Sequence, residues 1–237
     1  MFCYSRVLFY RRVAMRYQTF LFDLDGTLVD TAPDLAAAVN LVRTVRGLSP
    51  LPENELRPYA SRGAPGLLGK AMNVNKTDTD FPELRAEFLA NYQSAMTVHS
   101  CTFEGVLELL DTLRAHGIKT GVVTNKYAHL AQPLVEDLGL TDRLDIVLGS
   151  DSDGCAMKPA PDSLLTAAKQ LNVAPETILY AGDDPRDIQA AHNAGILAAS
   201  VQWGYGLTDP NTWGADFVAQ TPLDLYRWLL QLNEVDI

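Results

Sequence analysis

The chain has 237 residues and carries 19 basic against 29 acidic side chains, a net charge of −10. That acidic surplus argues against nucleic acid or an anionic membrane surface as a general partner, and the length suits one large domain or a core with a smaller second unit. Cys3, Cys101 and Cys155 are far apart and form no C-x-x-C pair, which excludes a disulfide framework or a zinc site and fits a reducing cytoplasm.

The chain opens on MFCYSRVLFYRRVAMR, residues 1–16. Arginines interrupt its apolar residues, so it reads as a leader, an alternative start before Met15 or a disordered tail, and not as an export signal. No segment approaches the ~18 apolar residues of a membrane-spanning helix. The first strand is expected over residues 19–24 and ends in FDLDGTLVD, with Asp23 and Asp25 on either side of Leu24. Residues i and i+2 of a strand face the same side, which puts the carboxylates about 5 to 6 Å apart. At an effective dielectric near 20 they repel by roughly 3 kcal/mol, and a divalent cation is expected to offset this.

Residues 31–103 break the strand–helix rhythm and read as helices only. One helix begins near Pro33 and runs through LAAAVNLVRTVR to Gly47; after SPLPENELRP, further helices are expected over 66–72 and 82–97. The chain crosses into and out of this insert at Thr31–Ala32 and at 102–104, two expected hinge strands. Strands are then expected over 119–123, 145–148, 177–181 and 197–201. Helices over 106–116, 128–138, 162–171 and 187–193 alternate with them, several stopped by glycine, and a last helix closes the chain. The fold class is therefore α/β: a Rossmann-like parallel sheet flanked by helices over 17–30 and 104–237, with an inserted helical cap over 31–103.

Four segments fall at or just after expected strand ends, where open α/β sheets bind ligands. They are Asp23-Leu24-Asp25-Gly26-Thr27, Thr124-Asn125, Lys158-Pro159 and Gly182-Asp183-Asp184-Pro185-Arg186-Asp187. A D-x-D-G-T match arises by chance in only about a few chains of this length per thousand. Singly, the other three read as an N-cap threonine, a surface lysine and a capped turn. Their order and shared position at strand ends carry the signal. Asp184 reads as a helix cap and Arg186 as a solvated residue.

In that order the four segments resemble the haloacid dehalogenase superfamily from about Tyr17 to the C-terminus, and the insert resembles its four-helix cap. VDTAPDLAAAVN, VTNK, KPAPD and GDDPRDIQAAHNAG resemble the phosphoglycolate phosphatase group. The resemblance implies a Mg²⁺-dependent phosphomonoesterase acting through an aspartyl phosphate. Asp23 would be the nucleophile and Asp25 the acid and base. Mg²⁺ would sit on Asp23, the Asp25 carbonyl, Asp183 and waters, with Asp187 holding a metal-bound water or orienting Lys158. Lys158, Thr124 and the backbone N–H groups near Leu24 and Asn125 would bind phosphoryl oxygens.

Substrate choice falls to the cap. There, Ser61 to Gly66 form a turn opening a helix, and Arg62 and Gly63 are the candidates to meet an anionic tail. The implied partner is a small phosphorylated metabolite, with no nucleic acid or membrane, and the chain a monomer or homodimer in the cytoplasm. Phosphoglycolate leads as substrate. YQSAMTVHSCTFEGV and WGYGLTDPNTWGADFV also resemble relatives acting on N-acetylmuramic acid 6-phosphate. Trp203, Tyr205 and Trp213 are then candidates either to stack on a sugar or to pack against the last helix. A sugar phosphomutase shares the same four segments. A phosphorylated receiver domain fits poorly, being about half this length and lacking an insert. His99, His116, His129 and His192 show no metal-ligand spacing and read as structural or surface residues.

Overall fold

The computed structural model describes residues 15–234; the leader expected over residues 1–16 lies almost wholly outside them. In the described part, apolar strands alternate with amphipathic helices to build one parallel sheet. Its strands are β1 (Thr19–Phe22), β4 (Lys119–Val123), β5 (Ile146–Leu148), β6 (Ile178–Gly182), β7 (Leu197–Val201) and β8 (Phe217–Ala219). They lie in the order β5-β4-β1-β6-β7-β8, and every adjacent pair is parallel. A short antiparallel ribbon joins β2 (Val29–Asp30) to β3 (Cys101–Thr102).

The strand period of two decides which face each β1 side chain serves. Phe20 and Phe22 stack on each other at 4.7 Å and join Leu109, Leu113, Leu134 and Trp228 on one face, whereas Leu21 meets Leu164, Ile188 and Ala191 on the other. The first face is covered by α5 (Val106–Ala115), α6 (Ala128–Asp137) and α9 (Pro222–Glu234), the second by α7 (Asp162–Leu171) and α8 (Pro185–Asn193). Burial on both faces explains why the β1 strand residues are all fully buried.

Between β2 and β3 lie α1 (Ala32–Val45), α2 (Glu53–Leu56), α3 (Gly63–Met72) and α4 (Phe81–Ser94), with a 3₁₀ segment Arg57–Arg62 leading into α3. They enclose their own core around Val39, Val42, Leu56, Leu68, Phe88 and Tyr92, and Leu130 and Tyr205 of the sheet unit join it. Apolar spacing therefore gave the longer helices, and SPLPENELRP holds the additional helical turn of α2. Strand β8 escaped notice because FVA is short and follows a Gly-rich loop. The hinge ribbon sits at 29–30 and 101–102, before Thr31, and Ala32 already belongs to α1.

Candidate active site

Strand β1 ends at Phe22, so Asp23 and Asp25 are not two residues of one strand as expected; Asp25 lies in the loop that turns back to Val29. Their repulsion is met by two different lysines. Lys158 Nζ lies 3.0 Å from Asp23 Oδ1 and 2.5 Å from Asp187 Oδ1, and Lys126 Nζ lies 2.9 and 3.1 Å from the two oxygens of Asp25. Ion pairs thus share the offset expected of a cation.

Lys158, expected on a surface if read alone, is 4 % exposed. Its ammonium donates to Val123 O at 3.1 Å and to the Tyr180 hydroxyl at 2.7 Å. The Asn125 side chain braces the same residue, accepting from Lys158 N at 2.7 Å and donating to Lys158 O at 3.1 Å. Burial opposes the charge on Lys158, but Asp187 and Asp23 outweigh it and hold the amine above the ordinary lysine value. Thr124 is buried and its Oγ1 accepts from Lys126 N at 3.2 Å, which leaves the hydroxyl proton to donate elsewhere.

Asp23, Asp183 and Asp187 each bring a carboxylate oxygen within 4.8 Å of the others. The Asp25 side chain is outside this cluster. Asp183 Oδ2 accepts from Ser61 Oγ at 2.7 Å and from Tyr205 N at 3.0 Å, whereas the buried Oδ1 has no hydrogen-bond partner. Burial, then the charges of Asp23 and Asp187, push Asp183 well above the usual carboxylate range. Burial also raises Asp187, with the Asp23 charge adding to it and the Lys158 ammonium opposing it. A crowded set of hard oxygen donors, short of positive charge and with one orphaned atom, fits a small divalent cation.

Glycine makes the crowding possible. A Cβ on Gly26 would lie 2.1 Å from Asp183 Oδ2, and one on Gly204 would lie 2.2 Å from Asp183 Cβ. Gly26 also has φ +80°, a left-handed conformation that only glycine adopts freely. At the start of α8, Asp184 accepts from Arg186 N while the Asp187 side chain accepts from Asp184 N, so the expected cap is a full capping box.

Arg186 is not the free surface residue that was expected. It pairs with Asp184 at 2.7 Å and donates to Ser61 O at 2.7 Å, fastening the insert to the sheet unit. Tyr205 is 2 % exposed and lies at the hinge: its hydroxyl accepts from Thr31 N and Ala32 N and donates to Asp30. Trp203 donates to Thr27 O and Trp213 to Thr208 Oγ1. None of these three aromatics lines the cavity above the carboxylates, so none is placed to stack on a sugar there.

That cavity, about 470 Å³, lies between the insert and the carboxyl ends of β1 and β4. Its floor carries Asp23, Asp25, Thr124, Asn125, Lys126 and Lys158; the insert adds Arg62, Gly63 and an apolar wall that includes Phe81, Phe88 and Leu89. All the expected groups except Asp183 therefore face one space, and Asp183 borders it through Ser61. Sequence reasoning missed Lys126, Tyr92 and Ser61. Lys126 had a signal as the last residue of VTNK and Ser61 as the first of the turn Ser61 to Gly66, but the partners of Lys126 lie 34 and 101 positions away.

Residues 20–201 match the model of the haloacid dehalogenase-like hydrolases. Among curated proteins, the chain is 40 % identical over 215 residues to the N-acetylmuramic acid 6-phosphate phosphatase of Pseudomonas putida, covering 90 % of this chain and 96 % of that one. It is 40 % identical over 220 residues to the phosphoglycolate phosphatase of Xylella fastidiosa, covering 89 % and 92 %. Among solved structures, that of a protein from Haemophilus somnus described as a predicted phosphoglycolate phosphatase superposes with a TM-score of 0.80 at 27 % identity, over 91 % of this chain and 99 % of that one. With the sheet order, the four strand-end segments and the match across most of its length in agreement, this chain belongs to the haloacid dehalogenase-like hydrolase family.

Proposed function

We propose that the protein is a Mg²⁺-dependent phosphomonoesterase that works through an aspartyl phosphate on Asp23, with residues 31–103 as its cap. The observation that carries this is the position of Asp23. It faces the cavity, is paired with buried Lys158, and shares the acidic cluster with Asp183 and Asp187.

Asp23 attacks phosphorus and the bond to the ester oxygen breaks; Asp25 gives that oxygen a proton. In the second half Asp25, now a carboxylate, takes a proton from the water that attacks the phosphoryl group, and Asp23 is released. Lys158, the Thr124 hydroxyl and backbone N–H groups beside Leu24 and Asn125 stabilise the equatorial oxygens. Asn125 acts through its backbone, because its side chain is occupied with Lys158. Asp23, Asp183 and Asp187 would hold the metal, with the Asp25 carbonyl; when bound, Mg²⁺ neutralises phosphoryl charge and that of the carboxylates. Asp187 also orients Lys158.

For the substrate, the phosphoglycolate phosphatases among the relatives support 2-phosphoglycolate. Arg62, exposed at the cavity rim beside Gly63, suits its carboxylate. A second reading, N-acetylmuramic acid 6-phosphate, is favoured by the cavity itself. Its 470 Å³ and apolar wall exceed the needs of a two-carbon acid, even with Ser61 and Arg186 already tying insert to sheet. Free cysteines Cys101 and Cys155 and a phosphorylated metabolite as substrate support a cytoplasmic location.

Purified protein is expected to release phosphate from one of the two esters only when Mg²⁺ is present, and Asp23→Asn to lower turnover about 10⁴-fold or more. Near wild-type turnover by Asp23→Asn sinks the mechanism. Isomerised hexose phosphate in place of free phosphate would make the protein a mutase.

A further inference from the structure

We propose that Lys126 and Tyr92 are positioning residues that hold the Asp25 carboxylate toward the leaving oxygen, so that the acid and base of the reaction is set in place by a side chain of the helical insert. The inference rests on the role given to Asp25 above.

Asp25 lies beyond the end of β1, where only an isolated bridge to Val29 ties its backbone. Its carboxylate is held from two sides. Thr31 Oγ1, in the linker into α1, donates to Oδ1 at 2.5 Å, and the Lys126 ammonium reaches both oxygens. A lysine stem carries about 2 kcal/mol of rotamer entropy, so such a grip is firm only if the ammonium is itself anchored. Tyr92 of α4 provides the anchor twice. Its hydroxyl accepts from Nζ at 3.0 Å, and its ring centroid lies 4.5 Å from the same nitrogen, within cation–π range. Tyr92 is itself 1 % exposed in the core of the insert, so its ring cannot drift.

Among the described residues the Lys126 ammonium has no partners besides Asp25 and Tyr92. All three line the cavity. A buried ion pair is weak evidence of a stabilising role, since apolar side chains of similar volume often do as well. Here the pair sits beside the nucleophile and is anchored on the insert through Tyr92, which a packing role does not require. The consequence is a coupling: an insert displaced from the sheet takes Tyr92 with it, frees Lys126 and leaves Asp25 held by Thr31 alone. A water entering the open site then meets no oriented base.

The test compares an alkyl ester with an aryl ester. Departure of nitrophenolate needs no proton, whereas an alkoxide does, and both routes need Asp25 as base in the second half. Lys126→Met should lower kcat on 2-phosphoglycolate or N-acetylmuramic acid 6-phosphate, whichever the wild type turns over, about 100-fold, with KM changed less than about 3-fold. On p-nitrophenyl phosphate it should show a burst of nitrophenol followed by slow turnover. Tyr92→Phe keeps the ring over the ammonium and loses only the hydroxyl, so it should move the same quantities in the same direction by roughly 3- to 10-fold. It carries the test if Lys126→Met fails to fold.

Wild-type kcat in either variant, or an equal loss on both esters without a burst, overturns the inference. If Asp25→Asn turns over like the wild type, the reading of Asp25 falls and the inference with it. If Asp25→Asn is inactive and the Lys126 and Tyr92 variants are indifferent, only the inference falls.

Discussion

Asp183 shows how a single side chain ties stability to metal. Its carboxylate is 1 % exposed and faces the charges of Asp23 and Asp187, and its own pKa is raised well above the ordinary value. An acid raised in the folded state contributes stability that is fully present below its unfolded pKa and is lost as pH climbs through the folded one. Relative to an Asp183→Asn variant, the metal-free protein should therefore lose melting temperature as pH rises from about 4 toward neutrality, a trend opposite to that of carboxylates held low by their partners, such as Asp184. Mg²⁺ binds the ionised form and opposes that fall. At about 100 times its dissociation constant it should raise Tm by roughly 5 to 10 °C near neutral pH, and by clearly less near pH 5. Equal shifts at both pH values, read by calorimetry, would remove the acidic cluster as the binding site.

The helices and the ribbon have their own points of failure, and α1 offers the clearest. Asp34, in its first turn and 3 % exposed, accepts from His99 N, Ser100 N and Ser100 Oγ at 2.8 to 3.0 Å. The carboxylate therefore stitches the start of the insert to its return strand, and favours the positive end of the helix dipole as well. Asp34→Ala leaves the buried Ser100 N–H and hydroxyl and the partly buried His99 N–H without that partner. It should cost about 3 kcal/mol in chemical denaturation and speed amide exchange at His99 and Ser100. Unchanged exchange at those two amides would mean that the ribbon pairing of Val29 with Thr102 is enough to hold the linker.

For the molecule as a whole, function depends on how the insert sits on the sheet. Polar contacts join Ser61 with Asp183, Arg186 with Ser61, Tyr92 with Lys126, Arg57 with Asp30, and the Tyr205 hydroxyl with the linker at Thr31 and Ala32, beside the apolar packing of Leu130 and Tyr205 on the insert core. Interfaces of this kind open readily, and a ligand that touches both sides shifts the balance toward the closed form. Amides of residues 31–103 should exchange more slowly when a phosphate mimic binds together with Mg²⁺, most of all along α4 around Tyr92. An insert whose exchange is indifferent to the mimic would not be acting as a cap.

Asp23, Asp25, Thr124, Lys158 and Asp183 were legible in the sequence because each belongs to a short segment set at a strand end, and local order is enough to place a residue there. The helical nature of the insert was legible for the same reason, through apolar spacing within single helices. The contacts of Tyr92, Ser61, Arg186 and Tyr205 were not, since their partners lie 34, 122, 125 and 174 positions away; Ser61, Arg186 and Tyr205 stand in segments singled out above, but nothing local announces what they bind. The chain's sequence thus determined the chemistry available at the edge of the sheet. Only the tertiary structure decided which lysine meets which carboxylate, because that depends on how a separately packed helical unit is laid across the strand ends.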